Sequence, residues 1–233
     1  MFKRAALFVI LSIFLSVLGA SAALAAQPVD NSLPFFGGGV KNEAQLETDK
    51  KVVAEAIQRA GSREKAVEMV LQNGWAKLKS GDTVTAIKYF NLAWLMSPED
   101  PDVFWGFATA MGREGKFDEA LRLFERAKSQ KPNDPALLAD YGYTWIGKAA
   151  MRDKTPAERN DSFEHALSLL KESEAIDPAN PMVYTNRAVV HYLQGRYAEA
   201  WQSVAKAQKL APQSVDPRFL HDLSAKMPRP QGL

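Results

Sequence analysis

The chain has 233 residues, 46% of them hydrophobic, with 29 basic and 27 acidic side chains. That length and apolar content allow one sizeable core or an elongated array of repeats. The absence of cysteine excludes disulfides, a thiol nucleophile and zinc–thiolate sites. Two of the 29 basic residues, Lys3 and Arg4, lie in the first 25 residues, which hold no acid, so the remainder carries 27 charges of each sign. This balance argues against nucleic acid as a partner, because phosphate binding needs clustered Lys and Arg.

The N-terminus has the layout of a secretory signal. Two basic residues are followed by an apolar run from Ala5 to Leu18 and by small residues, with Ala23 and Ala25 in A-x-A spacing. The pattern predicts a signal peptide over residues 1–25 and an exported protein of the bacterial periplasm, without stable membrane insertion once the signal is removed. The alternative is an uncleaved anchor to the inner membrane, since the apolar segment is close to the roughly 20 residues that a span needs.

Residues 26–66 divide into two segments of different composition. Prolines and three consecutive glycines predict a flexible tether over residues 26–46. The alternative is that Phe35 and Phe36 dock into a groove of this chain or of a partner. Residues 47–66 are predicted to be an N-terminal capping helix region, because apolar residues recur there at helical spacing.

An internal period of 34 residues is the strongest signal in the chain. Ala86 and Ala120 are 34 residues apart, and so are Ala166 and Ala200. From Ala120 to Ala166 the step is 46, which is one period plus a 12-residue insertion. The same 34-residue step separates Phe90 from Phe124, Gly81 from Gly115, Pro98 from Pro132 and Pro178 from Pro212. Coincident offsets of this kind indicate a repeat architecture.

Each period has the features of a helical hairpin. Asp134-Pro135 places a capping side chain before a proline at the first helical position, where the missing N–H costs nothing. Glycines such as Gly115 suit the C-terminal end of a first helix, because glycine accepts the left-handed conformation. Prolines such as Pro132 end the second helix. The period therefore predicts successive antiparallel helices.

Two motifs carry a family resemblance: GKFDEA from Gly115 to Ala120 and GRYAEA from Gly195 to Ala200, each with a proline 12 residues later. They resemble the tetratricopeptide repeat family. The resemblance implies an all-α, right-handed solenoid of antiparallel helical hairpins, with about four repeats over residues 67–214. The expected divisions are 67–100, 101–134, 135–180 with the insertion, and 181–214, followed by a capping helix at 215–226 and a loose tail at 227–233.

The insertion falls at residues 149–160 and is rich in charge. Thr155 and Glu158 have the spacing of a capping box, so a helix is expected to begin between them. We expect lengthened helices that meet in a protruding charged turn. Its role is left open between a solvated elaboration and a contact surface.

The resemblance also implies that the first helix of each hairpin lines a concave groove, which binds a protein or peptide partner. If this geometry carries over, the groove includes nine side chains: Trp75, Trp105, Thr109, Arg113, Asp140, Tyr143, Asn186, Val189 and Tyr192. This set is aromatic and nearly neutral, so it predicts an apolar or aromatic peptide or helix as ligand, not a carboxylate tail. The alternative for the two tryptophans is packing between helices.

No catalytic, cofactor-binding or metal-binding residue is predicted. His165, His191 and His221 are the only imidazoles, and they lie in different repeats without H-E-x-x-H or comparable spacing. An enzyme is therefore a remote alternative. Two functions of the binding class stay open: a scaffold or adaptor subunit of an envelope assembly, and a holdase-type chaperone for exported proteins.

Overall fold

The computed structural model describes residues 28–233, and within that range the chain is helical with no strand. A short 3-10 helix (Pro34–Gly38) precedes ten α-helices. They are α1 (Glu43–Ala60), α2 (Arg63–Lys79), α3 (Thr83–Met96), α4 (Pro101–Arg113), α5 (Phe117–Gln130), α6 (Pro135–Ala149), α7 (Pro156–Ile176), α8 (Pro181–Leu193), α9 (Tyr197–Leu210) and α10 (Pro217–Lys226). The predicted all-α repeat architecture is confirmed. The predicted signal peptide, residues 1–25, lies outside the described residues.

The helices pack as four consecutive hairpins. The pairs are α2 with α3, α4 with α5, α6 with α7, and α8 with α9. Each first helix also touches the first helix of the next hairpin, so α2, α4, α6 and α8 form one continuous layer. A chain in which each repeat contacts mainly its neighbours is a solenoid.

The predicted helix starts agree with the structure. The side chains of Asp100, Asp134 and Asn180 each accept a hydrogen bond from the backbone N–H two residues later, at 2.9 to 3.0 Å. In every case a proline occupies the first helical position. Equivalent caps at equivalent places start three first helices at the same point of the period.

Large and small residues interlock between neighbouring helices, both within a hairpin and between successive hairpins. Phe90 of α3 is completely buried, and a Cβ added to Gly74 of α2 would lie 2.4 Å from its ring. Gly106 of α4 faces the same ring at 2.6 Å. In the third hairpin the buried Leu170 takes the corresponding place opposite Gly142, at 3.2 Å. Glycine at these positions therefore permits the close approach of successive helices.

The insertion lengthens the third hairpin. A turn over residues 150–155 connects α6 to α7, which has 21 residues. Thr155 Oγ1 accepts a hydrogen bond from the Glu158 N–H (3.3 Å), and Glu158 Oε2 accepts one from the Thr155 N–H (2.8 Å). This is the predicted capping box.

The segment before α1 departs from the predicted flexible tether. Phe36 is 6% exposed. The Phe35 ring lies 4.8 Å from that of Phe107 and 5.5 Å from that of Trp94, in edge contact with the latter. Helix α1 also begins at Glu43, within the predicted tether. The structure instead has the alternative arrangement, in which the two phenylalanines dock onto this chain.

Asn91 of α3 supplies the physical reason for this docking. Its side chain is completely buried, and Nδ2 donates hydrogen bonds to the Leu33 carbonyl (2.9 Å) and to Asn31 Oδ1 (3.0 Å). Its Oδ1 accepts one from the Phe36 N–H (3.4 Å). The Lys41 ammonium lies 3.0 Å from the centre of the Phe36 ring. Buried backbone groups need partners, and Asn91 provides them for a segment that has little regular structure.

Helix α10 covers the other end of the array. Its Leu223 is completely buried and packs with Trp201 of α9. The Trp201 Nε1–H donates a hydrogen bond to the Met227 carbonyl (2.9 Å), so the predicted loose tail is held at its first residue. None of the helices in residues 28–233 combines the length and the apolar character needed to cross a membrane.

Candidate functional site

A cavity of about 550 Å³ lies where α4, α5 and α6 meet. Four of the nine predicted groove residues line it: Thr109, Arg113, Asp140 and Tyr143. The rest of the wall comes from Gly112, Phe117, Phe124, Thr144, Ile146, Gly147, Ala150 and Met182. The walls are thus mainly apolar and carry one carboxyl group and one guanidinium.

Asp140 is the chemically unusual member of this wall. Its Oδ2 accepts a hydrogen bond from the Trp105 Nε1–H at 2.9 Å. Its Oδ1 accepts none from any residue in the range 28–233. Burial raises the pKa of this carboxyl to about 6, against the opposing effects of the Trp105 hydrogen bond and the Arg113 charge. Asp140 is half-buried and lines the cavity, so its Oδ1 is accessible from the cavity, and this carboxylate is a candidate for ligand contact.

Arg113 and Tyr143 form the open side of the cavity. Tyr143 is 57% exposed, and Arg113 is also exposed. The Arg113 Nη1–H donates a hydrogen bond to the Leu78 carbonyl at the end of α2, which holds the guanidinium near the first hairpin. An exposed aromatic ring beside a partly apolar cavity is a feature common at binding surfaces.

Trp75 and Trp105 pack against each other beside the cavity. Their ring centroids are 5.1 Å apart in edge contact, and Trp75 makes a second edge contact with Phe90 at 5.7 Å. Both tryptophans keep part of their surface exposed. These contacts agree with the alternative interpretation, in which both tryptophans pack between helices. Trp105 also orients Asp140 through its hydrogen bond.

The three predicted groove residues of α8 are not brought to this cavity. Asn186 is 2% exposed, and its Nδ2 donates a hydrogen bond to the Ala139 carbonyl (3.1 Å), which ties α8 to α6. Val189 packs, partly buried, against an apolar cluster contributed by α6, α7 and α8. The Tyr192 ring is in edge contact with Phe219 of α10, at 5.4 Å. Asn186 is too buried to contact a partner, so the prediction that it lines the groove is wrong. Val189 and Tyr192 contribute to packing between helices.

Sequence reasoning missed several wall residues, among them Phe117, Ile146 and Met182. Phe117 lies in the GKFDEA motif, which predicts a helix and does not indicate a cavity wall. A signal for its role does exist: a Cβ on Gly147 would lie 2.4 Å from the Phe117 ring. A glycine inside a helix, away from any turn, often marks such a close approach.

The histidines are dispersed over the array. His165 stacks on Trp145, with 4.4 Å between ring centroids. Burial lowers the pKa of His191, which is half-buried in α8. His221 lies exposed on α10 beside Asp222. In residues 28–233 no three His, Asp or Glu side chains are grouped so that they could hold a metal ion.

Comparison with known proteins agrees with this geometry. Residues 77–142, which run from the end of α2 into α6, match the family model described as tetratricopeptide repeat. The array of paired helices has the fold of tetratricopeptide repeat proteins, and residues 77–142 match the repeat sequence itself. A comparison with curated proteins finds no matching sequence.

Solved structures with the same fold include TTC0263, a thermophilic tetratricopeptide repeat protein of Thermus thermophilus. It is 21% identical over 70% of this chain and 84% of that one, with a TM-score of 0.63. Pseudomonas aeruginosa pilF is 20% identical over 70% of each chain, with a TM-score of 0.56. YrrB, described as a tetratricopeptide repeat protein with an unusual peptide-binding site, is 18% identical over 74% of this chain and 85% of that one, with a TM-score of 0.50. At these identities the likeness defines the fold alone.

Proposed function

We propose that this chain is a protein-interaction scaffold that binds a peptide or helix of its partner at the groove around Tyr143. The observation that carries the proposal is the convergence of Thr109, Arg113, Asp140 and Tyr143, from two successive first helices, on one cavity. Cavities with mainly apolar walls and a few polar groups are typical binding sites. The peptide-binding site in the description of YrrB supports the same role for a groove of this fold.

We further propose that the scaffold works in the cell envelope, as a subunit or adaptor of an assembly there. The signal-like pattern of residues 1–25 supports export. Cleavage would release the array into the periplasm, whereas an uncleaved segment would anchor it to the inner membrane. Immunoblotting of spheroplast fractions for the full chain and the shortened chain distinguishes these outcomes.

The contact must extend beyond Tyr143. Covering the exposed part of a tyrosine ring removes roughly 100 Å² of apolar surface, which contributes about 2.5 kcal/mol at 25 cal/mol per Å². Association costs an estimated 4 to 15 kcal/mol. A useful affinity therefore requires the cavity, backbone hydrogen bonds and neighbouring surface together.

The test compares capture of partners from an envelope extract by the protein and by Tyr143→Ala. The matched control is Leu210→Ala, which removes an exposed apolar side chain of α9 far along the chain from the cavity. We expect one saturable partner that Tyr143→Ala weakens and Leu210→Ala retains. Equal binding by all three proteins would refute the groove assignment.

The same experiment examines the chaperone alternative. A holdase would capture many unrelated exported chains and suppress the aggregation of several unfolded clients in light-scattering assays. A scaffold would capture one partner and leave the aggregation of unrelated clients unchanged.

A further inference from the structure

The side chains that line the cavity indicate which kind of partner residue it can bind. Asp140 offers an acceptor, Oδ1, that no group in the described chain uses, while Trp105 holds Oδ2 in place. A half-buried carboxylate is stabilised most by a charged hydrogen-bond donor. The hydroxyl groups of Thr109 and Thr144 donate to carbonyls of their own helices, at 3.0 and 3.1 Å, so they supply no donor to Asp140.

The rest of the cavity suits a long apolar stem. Phe117, Phe124, Ile146 and Met182 form its apolar walls, and the volume of about 550 Å³ lies within the range of ligand pockets. Lysine and arginine bury their methylene stems against such surfaces and keep the charged tip at a polar group. The exposed ring of Tyr143 can also attract a cation approaching the cavity.

Arg113 is the group that opposes a cation here. It is exposed, so solvent and salt screen its charge, and its guanidinium is held by the Leu78 carbonyl. Asp140 is half-buried, so solvent screens its charge less than that of Arg113, and it attracts a cation more strongly. A carboxylate ligand would gain only the solvated Arg113 and would be repelled by Asp140. Charge complementarity therefore favours a basic group in the cavity.

We propose that the partner segment inserts a lysine or arginine side chain into this cavity, with its charged tip at Asp140 and its stem against the apolar walls. This inference rests on the proposed function, since it names the kind of residue that the groove recognises. It places a specific basic residue in the middle of an otherwise apolar or aromatic peptide.

The test uses immobilised arrays of nine-residue peptides, random except for a fixed central position. That position is lysine in one array and norleucine, its uncharged counterpart, in the other. The probes are the labelled protein, Asp140→Asn and Arg113→Gln, each first checked for unchanged helical content by circular dichroism. Tyr143→Ala serves as the control for groove binding.

For the unmodified protein we expect about tenfold stronger binding to lysine peptides than to norleucine peptides, the usual scale for a charge-assisted hydrogen bond. Asp140→Asn should remove the preference, and Arg113→Gln should increase it. Groove binding without a lysine preference would overturn this inference and leave the proposed function standing. A preference that survives in Asp140→Asn would overturn it as well. Absence of any Tyr143-dependent binding would overturn both.

Discussion

Replacing Asp140 by asparagine removes the titrating group of the cavity and keeps an acceptor for the Trp105 N–H. In the folded chain, burial raises the pKa of Asp140 from 3.8 to about 6. The folded state therefore holds a proton at this site more tightly than the unfolded chain does. The stability that this group contributes is present at low pH and is lost as the pH rises from about 4 to 6.

The size of the effect follows from the two pKa values. The rise from 3.8 to about 6 corresponds to about 3 kcal/mol, at 1.36 kcal/mol for each pH unit. The charged groups that act on Asp140 are Arg113 of α4, which stabilises the carboxylate, and Asp134 at the start of α6, which destabilises it. We expect Asp140→Asn to be more stable than the unmodified protein at pH 7, by up to about 3 kcal/mol.

The assay is urea unfolding followed by circular dichroism, at pH 7 and at pH 4, for both proteins. The stability difference should be largest at pH 7 and close to zero at pH 4, where Asp140 is protonated in the folded state. The difference between the two proteins cancels the titration of the other carboxyl groups. An equal difference at both pH values would refute the assignment of a raised pKa to Asp140.

Two further predictions concern packing. Gly74→Ala should lower the free energy of unfolding by about 1 to 3 kcal/mol, because the new Cβ overlaps Phe90. Gly112→Ala is the control, because a Cβ there would lie 3.4 Å from its nearest neighbour, an ordinary contact distance. Equal free energies of unfolding for the two variants would contradict this argument. Asn91→Leu leaves backbone groups of residues 31–36 unpaired, so limited proteolysis should cut that segment faster at unchanged helical content; an unchanged cleavage rate would show that Asn91 does not hold it.

The hairpins were predictable because their signals are local and repeated. A capping residue followed by proline starts a helix wherever it occurs, and a 34-residue recurrence reveals the pairing of helices without any knowledge of distant contacts. The interlocking of Phe90 with Gly74 follows from the same register. These features depend on residues within one or two repeats of each other.

The segment before α1 was not predictable in the same way. Its prolines and glycines predict a segment without regular structure. The buried amide of Asn91 that forms hydrogen bonds with this segment lies far along the chain, in α3. The groove assignment met a similar limit. Asn186 and Tyr192 lie in a first helix, as the residues that line the cavity from α4 and α6 do. The Asn186 side chain, however, donates a hydrogen bond to the Ala139 carbonyl of α6, and the Tyr192 ring packs against Phe219 of α10.

The docking of Phe36 has a consequence for the order in which the chain acquires structure. Asn91 follows Phe36 by 55 residues, in an array whose other contacts are mostly between neighbouring helices. At a synthesis rate of about 5–20 residues per second, Phe36 is made roughly 3 to 11 seconds before Asn91, and Trp94 and Phe107, the contacts of Phe35, are made later still. During that interval α1 can form, but Phe35 and Phe36 lack the rings of Trp94, Phe104 and Phe107 that they contact in the folded chain. The emerging chain thus presents an aromatic segment that the finished protein conceals.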